Sequence, residues 1–157
     1  MSPTVHIDRE AGLEAPDDES FSRWVAMALT TQQHTLHKHP EVSIRINSLV
    51  EMTSLNEQYR HKSGPTNVLS FPADLPVEVS SGLLGDIVIC APVVQLEASE
   101  QGKAPICHWA HMTVHGTLHL LGFDHIDDDE AEQMEALETH ILTSMGYPDP
   151  YRPLITS

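Results

Sequence analysis

The stretch His115-Gly116-Thr117-Leu118-His119-Leu120-Leu121-Gly122-Phe123-Asp124-His125 decides how this chain is read. Its first two histidines are four residues apart. On a helix that spacing puts both imidazoles on one face, one turn apart. Gly122 supplies the left-handed residue on which a helix stops. The chain beyond it can then fold His125 back toward the same point. Three neutral imidazoles with one open position describe a catalytic zinc site, where water is the fourth ligand. Without a metal, the histidines would have to share one face of an otherwise apolar helix, where an unpaired polar group costs about 1–3 kcal/mol. His115, His119 and His125 are therefore the candidate ligands of one zinc ion per chain, held on a helix that carries the pattern H-x-x-x-H-x-x-x-x-x-H.

Working outward, Pro105–Leu121 reads as the core helix, with Ile106, Trp109, Ala110, Met112, Val114, Leu118 and Leu121 making apolar contacts around it. Asp127–Ser144 reads as an amphipathic helix. Met134, Leu137, Ile141 and Met145 face in, while Glu130, Glu132, Glu135 and Glu138 face mostly out. The acidic run Asp127–Glu130 is its cap and solvated first turn. Upstream, Leu83–Cys90 is the most apolar strand, with Asp86 its odd member, and Pro92 starts a short helix to about Glu100. Val68–Phe71 is a strand stopped by Pro72, and Val42–Ile46 is an alternating strand. Ser48–Tyr59 is a helix with Leu49, Met52 and Leu55 inward. Asp17–Leu36 is a helix capped by Asp17 or Asp18, with Phe21, Trp24, Val25, Ala28 and Leu29 on one face. His34, His37 and His39 follow near its end, where cations complement the helix dipole, and Pro40 closes the element. His61–Pro65 is a loop, and Ala73–Gly82 is turn-rich. With no repeat or linker, residues 1–157 form a single α+β domain in which helices accompany a small sheet.

The bulk numbers exclude several classes. A chain of 157 residues, 40% hydrophobic, has the size and apolar content of one ordinary domain, so disordered and fibrous readings fail. Two cysteines, Cys90 and Cys107, are too few for a disulfide framework, and their spacing is not that of a metal site. No run of about 18 apolar residues spans a membrane. The first ten residues lack a basic region followed by an apolar stretch. A soluble, cytoplasmic protein is expected. The formal charge of −15 disfavours nonspecific nucleic-acid binding, which draws on many Lys and Arg contacts to phosphate.

The histidine spacing matches that of the metzincin peptidases, H-E-x-x-H-x-x-G-x-x-H, at every position but one. Gly116 stands where those enzymes carry their glutamate general base. The metal geometry survives without the peptidase base, which argues against peptide hydrolysis. His111 continues the same helix face one turn earlier and is a candidate proton shuttle. Either His111 or Asp124 can orient a ligand imidazole from behind.

His115–His125 resembles the HGxLHLxGyDH signature of the YbeY proteins, bacterial ribosomal RNA maturation factors and endoribonucleases. Leu55–Arg60 resembles that family's LNxxyR, Thr66–Pro72 its T(D/N)VLSFP, and Leu84–Ile89 its LGDIxI. Met134, Glu135 and Glu138 fit its late MexxE pattern. The resemblance runs in order over about residues 40–147. Ser63-Gly64 departs from it, standing where many members have a short charged stretch. The resemblance implies a zinc-dependent endoribonuclease specific for single-stranded RNA, acting in small-subunit ribosomal RNA 3′-end maturation and in ribosome quality control. It implies a mixed, roughly four-stranded sheet flanked by helices, with zinc on His115, His119 and His125. Its partners would be ribosomal RNA and the small subunit with its proteins, and neither DNA nor membrane. Arg60 matches the family's arginine.

Zinc on three neutral ligands keeps its full charge, so it can acidify water at the open position or polarise a phosphoryl oxygen. A planar, permanently charged guanidinium suits the charge that builds on phosphorus, and the resemblance implies that Arg60 is the phosphate-binding catalytic residue. Lys38, Arg45, Arg60 and Lys62 are half of all basic residues and lie close in sequence, so one groove lined by all four is expected. Two rivals stand beside this reading. One is a ribosome assembly factor whose zinc only stabilises the fold. The other is a zinc hydrolase of a non-RNA substrate.

Overall fold

The apolar run Leu83–Cys90 is the strand on which the fold is organised. Its neighbours lie on both sides and its side chains alternate between two cores. The computed structural model describes residues 3–32, 39–73, 82–124 and 127–151. Within them are four strands, β1 (Thr4–Arg9), β2 (Glu41–Asn47), β3 (Val68–Pro72) and β4 (Leu83–Cys90), and five helices, α1 (Asp18–Thr30), α2 (Leu49–Arg60), α3 (Ala91–Gln101), α4 (Pro105–Leu120) and α5 (Asp128–Ser144). The sheet order is β1-β2-β4-β3. β1 and β4 run parallel to β2, and β3 runs antiparallel to β4. This is the small mixed sheet with flanking helices that the resemblance implied. No helix among the described residues is long and apolar enough to cross a membrane.

Strand periodicity divides the core in two. Ile87 and Ile89 of β4 join Ile44 and Ile46 of β2 in the main cluster, together with Phe21, Trp24 and Leu29 of α1, Trp109 and Leu118 of α4, and Met134 and Ile141 of α5. Val88 and Cys90 belong to the smaller cluster on the opposite face, with Met52 of α2 and Leu69 of β3. Trp24 and Trp109 both meet Phe21 edge to face, at centroid distances of 5.4 and 5.8 Å.

Most element boundaries agree with the sequence reading to within one or two residues; three features differ. β1 was not anticipated. Its Val5 and Ile7 pack against the main core while His6 and Asp8 are exposed, a weak alternation beside strongly charged residues. Helix α1 closes at Thr30 rather than at Leu36. The hydroxyls of Thr30 and Thr31 bond back to the carbonyls of Met27 and Ala28, satisfying the last turn. Residues 33–38, with His34, His37 and Lys38, lie outside the described residues, as does most of the turn-rich segment after Ala73. Two residues expected to face inward do not: Ile106 is 41% exposed on the first turn of α4, and Leu49 is 46% exposed on the first turn of α2, where only Met52 and Asn56 are buried.

Helix α4 is buried almost throughout, and its two buried threonines are satisfied within the helix. Thr113 and Thr117 donate to the carbonyls of Trp109 and Thr113, one turn back. The helix sits very close to the sheet at Gly116. A Cβ there would lie 2.8 Å from Ile87 Cγ2 and 3.3 Å from both Ser70 Oγ and Val68 Cγ2. It ends as the sequence suggests. Gly122 has φ of +99°, its N–H donates to His119, and the N–H of Phe123 donates to Leu118, a Schellman closure.

The seating at Gly116 predicts that Gly116→Val lowers stability by about 1–3 kcal/mol, the usual cost of overpacking. The midpoint of a urea titration measures this. An unchanged midpoint would mean that α4 does not lie this close to β3 and β4.

Candidate metal centre

Helix periodicity delivers the first two histidines of the motif as expected. His115 and His119 are half-buried on one face of α4, and their Nε2 atoms lie 3.1 Å apart. Two nitrogens bound at about 2.0–2.1 Å to one tetrahedral zinc would stand about 3.3 Å apart. The donor pair therefore fits a zinc-sized ion. His125, the third candidate, lies outside the described residues.

Behind His115 stands a group that the sequence reading placed on the solvent side. Glu138 follows Met134 by four residues and precedes Ile141 by three, so it shares their buried face and is fully enclosed. Its Oε2 lies 2.8 Å from His115 Nδ1 and its Oε1 lies 2.6 Å from His111 Nε2. The Tyr151 hydroxyl donates to the same Oε1 at 2.5 Å. Burial pushes the Glu138 carboxyl up, but hydrogen bonds from His111 and His115 overcome this and hold it at about 2. Glu138 is thus an ionised acceptor, and each imidazole must donate to it. That fixes the proton of His115 on Nδ1 and leaves the Nε2 lone pair for a ligand. Burial, then the neighbouring Glu138 charge, raises the Tyr151 phenol, which stays protonated as a donor.

His111, His115 and Glu138 also form a group that could hold a metal ion, with ligand atoms all within 4.8 Å of one another. The two possibilities use opposite edges of the His115 ring. In the first, Nε2 is the ligand and Glu138 orients it. In the second, Nδ1 is the ligand and Glu138 coordinates directly. Geometry separates them. The facing atoms of the second group are already paired by hydrogen bonds around a carboxylate with no exposure. His115 and His119 instead line an open cavity of about 740 Å³.

That cavity brings together residues from both faces of the sheet across the β3 edge. Tyr59 and Arg60 come from the end of α2, Ser70 and Phe71 from β3, His115 and His119 from α4, and Phe123 and Asp124 from the segment after it. Several residues of the blocks that resemble the family's motifs fix this arrangement. Buried Asn56 donates to the Gly64 carbonyl and holds the loop after α2. Asn67 accepts from Val68 N–H at the start of β3 and donates to Glu97 of α3. Glu97 in turn lies 2.9 Å from His108 Nε2 on α4. Burial keeps His108 below the usual histidine range despite that carboxylate, so its neutral ring completes a chain from β3 to α4.

The other sequence candidates fall as follows. Arg60 is exposed, lines the cavity and has no acidic partner within ion-pair distance among the described residues. Arg45 is paired instead with Asp8 at 2.8 Å and Glu51 at 2.9 Å, and neither it nor Lys62 lines the cavity. The four-residue basic groove therefore reduces to Arg60, with Lys38 outside the described residues. His111 lies behind Glu138 rather than in the cavity, and Asp124 is on the exposed cavity rim. The metzincin base position has no room for its side chain, because Gly116 is pressed against Ile87, Ser70 and Val68.

Comparison with known proteins agrees with the motif reading. The family model for endoribonuclease YbeY matches residues 6–146. A protein named endoribonuclease YbeY from Pseudomonas entomophila is 54% identical over 148 residues, covering 94% of this chain and 92% of the relative. One of the same name from Nitrosococcus oceani is 53% identical over 154 residues, covering 96% and 98%. A Thermotoga maritima protein with a known solution structure shares the fold, with a TM-score of 0.55 and 22% identity over 95% of this chain and 99% of that one.

The hydrogen bond from His115 to Glu138 predicts that Glu138→Gln weakens divalent metal binding by about 10–100-fold, the usual effect of a residue supporting a ligand histidine. Competition against a chromophoric chelator measures this, with a cooperative melt confirming the fold. Undiminished affinity would remove Glu138 from the site.

Proposed function

The chain belongs to the endoribonuclease YbeY family, and from that premise we propose that it is a metal-dependent endoribonuclease of single-stranded RNA, acting in 3′-end maturation of small-subunit ribosomal RNA and in ribosome quality control. The observation that carries the proposal is the convergence of His115 Nε2, His119 Nε2 and the uncommitted Arg60 on one cavity along the β3 edge.

In this reading His115 and His119 hold one zinc ion, with His125 as the third ligand. When bound, such an ion supplies Lewis acidity, polarising a phosphoryl oxygen and making water a stronger acid. The protein's groups do the rest. Glu138 keeps the proton of His115 on Nδ1 and so keeps Nε2 available throughout a cycle. His111 and Tyr151 hold Glu138 in place by donating to it, which makes them positioning groups and puts His111 too far back to exchange protons with substrate directly. Arg60 offers two parallel N–H donors to a phosphate, matching the charge that grows on phosphorus as cleavage proceeds. Peptide hydrolysis is disfavoured because a glutamate base cannot be accommodated at position 116. A purely structural zinc is disfavoured because the apolar clusters already join α4 to the sheet, α1 and α5, while the histidine pair faces the cavity. Within an overall charge of −15, Arg60 and the bound cation form the local positive region that draws RNA to this face.

One assay tests the proposal. Zinc-loaded wild type, His119→Ala and Arg60→Glu are compared on a single-stranded RNA, with metal content measured for each. His119→Ala should lose metal and at least about 100-fold in cleavage, since even residues behind ligands are worth about 10–100-fold. Arg60→Glu should lose cleavage while keeping stoichiometric metal. Full cleavage by either variant would overturn the corresponding assignment.

A further inference from the structure

The cavity contains an aromatic pair that metal chemistry does not use. Tyr59, the last residue before Arg60 in α2, is 56% exposed, although a large aromatic surface facing water is unfavourable. It makes an edge-to-face pair with Phe71 of β3, at a centroid distance of 5.2 Å and an interplanar angle of 71°. Both rings line the cavity that also contains His115 and His119. Phe71 is anchored from below, since it packs on the small cluster of Met52, Leu69, Val88 and Cys90. Tyr59 is therefore an exposed aromatic surface braced by a fixed neighbour.

The strand beside it is also open on the substrate side. β3 ends the sheet, with β4 its one strand partner among the described residues. Cys90 N–H donates to Asn67 and Ala73 N–H donates to Leu84, which makes those residues hydrogen-bonded pairs of the ladder. By alternation Leu69 and Phe71 also bond to β4, and the N–H and C=O of Ser70 point to the outer edge. The cavity thus offers, side by side, an aromatic surface, an arginine, an outward-facing peptide and a pair of ligand imidazoles.

We propose that Tyr59, braced by Phe71, is the stacking platform for one unpaired nucleobase of the RNA, placed on the α2 side of β3 while the phosphodiester to be cut lies on the α4 side. This inference rests on the endoribonuclease reading and deepens it by locating the preference for single strands. Every base has a flat face that an aromatic ring can stack on, but a base inside a duplex has both faces covered by its neighbours. A strand crossing the β3 edge can offer its phosphate to Arg60 and a splayed base to Tyr59. A duplex cannot do so without unstacking.

The test uses the zinc-loaded full chain and a single-stranded RNA oligonucleotide with one mapped cleavage position. Derivatives each lack one base, replaced by an abasic residue, at successive positions on both sides of the cut. Stacking on an aromatic residue is worth about 1–3 kcal/mol per base, equivalent to about 5–150-fold in binding. For wild type, one abasic position should raise KM by about that factor with little change in kcat. Tyr59→Ala should raise KM on the intact RNA similarly and become indifferent to that abasic position, while Tyr59→Trp restores both KM and the abasic penalty. If Tyr59→Ala keeps the wild-type KM or suffers the same abasic penalty, the platform is elsewhere and the inference fails while the nuclease reading stands. If no abasic position affects wild type, stacking itself is refuted. If wild type cleaves no RNA at all, the nuclease reading falls and the platform falls with it.

Discussion

The hydrogen bond between His115 Nδ1 and the buried carboxylate of Glu138 is the interaction on which the rest of the site depends. It decides which edge of the imidazole faces the cavity. A histidine free to flip or change tautomer would bind a metal poorly, because each wrong state withdraws the lone pair. Glu138 can do this only because it is ionised while fully buried. The cost of burying that charge is offset by three donors, His111, His115 and Tyr151. A glutamate on α5 and a tyrosine beyond its end thus orient the His115 imidazole on α4.

The second constraint is the edge position of β3. Had another strand covered it, the end of α2 and the histidine face of α4 would have been separated by the sheet. Because β3 is short and terminal, Tyr59 and Arg60 from one face and His115 and His119 from the other open into the same cavity. Gly116 contributes by letting α4 lie against the underside of this strand, where Ser70 Oγ donates to the Gly116 carbonyl at 3.0 Å. The residue that removes the peptidase base is thereby the one that seats the histidine-bearing helix beneath β3.

Much of this was legible in the sequence, for identifiable reasons. His115 and His119 could be paired because helical spacing alone puts them together, and Gly122 marked the end of α4 because a left-handed residue was needed there. β4 was plain because a run buried on both faces is apolar, with exposed Asp86 its one exception. Glu138 was missed because glutamates at 130, 132, 135 and 138 look alike in composition. Only its step of four from Met134 and three to Ile141 separates it from the solvated ones. Arg45 was misplaced for a different reason. Proximity in sequence to Arg60 says nothing about the ion pairs with Asp8 and Glu51 that β1 and α2 bring to it. Tyr59 was read as the end of a helix and a member of the Leu55–Arg60 block, with no role of its own, since its contact with Phe71 depends on how α2 crosses β3.

The central claim is that a metal ion lies on the cavity side of His115, with Glu138 as orienting partner and not as ligand. Anomalous diffraction from crystals of the zinc-loaded protein tests it most directly. The account predicts a single peak within about 2.0–2.1 Å of both His115 Nε2 and His119 Nε2, with Glu138 still bonded to His115 Nδ1. A peak instead between His111, the Nδ1 edge of His115 and the Glu138 carboxylate would contradict it.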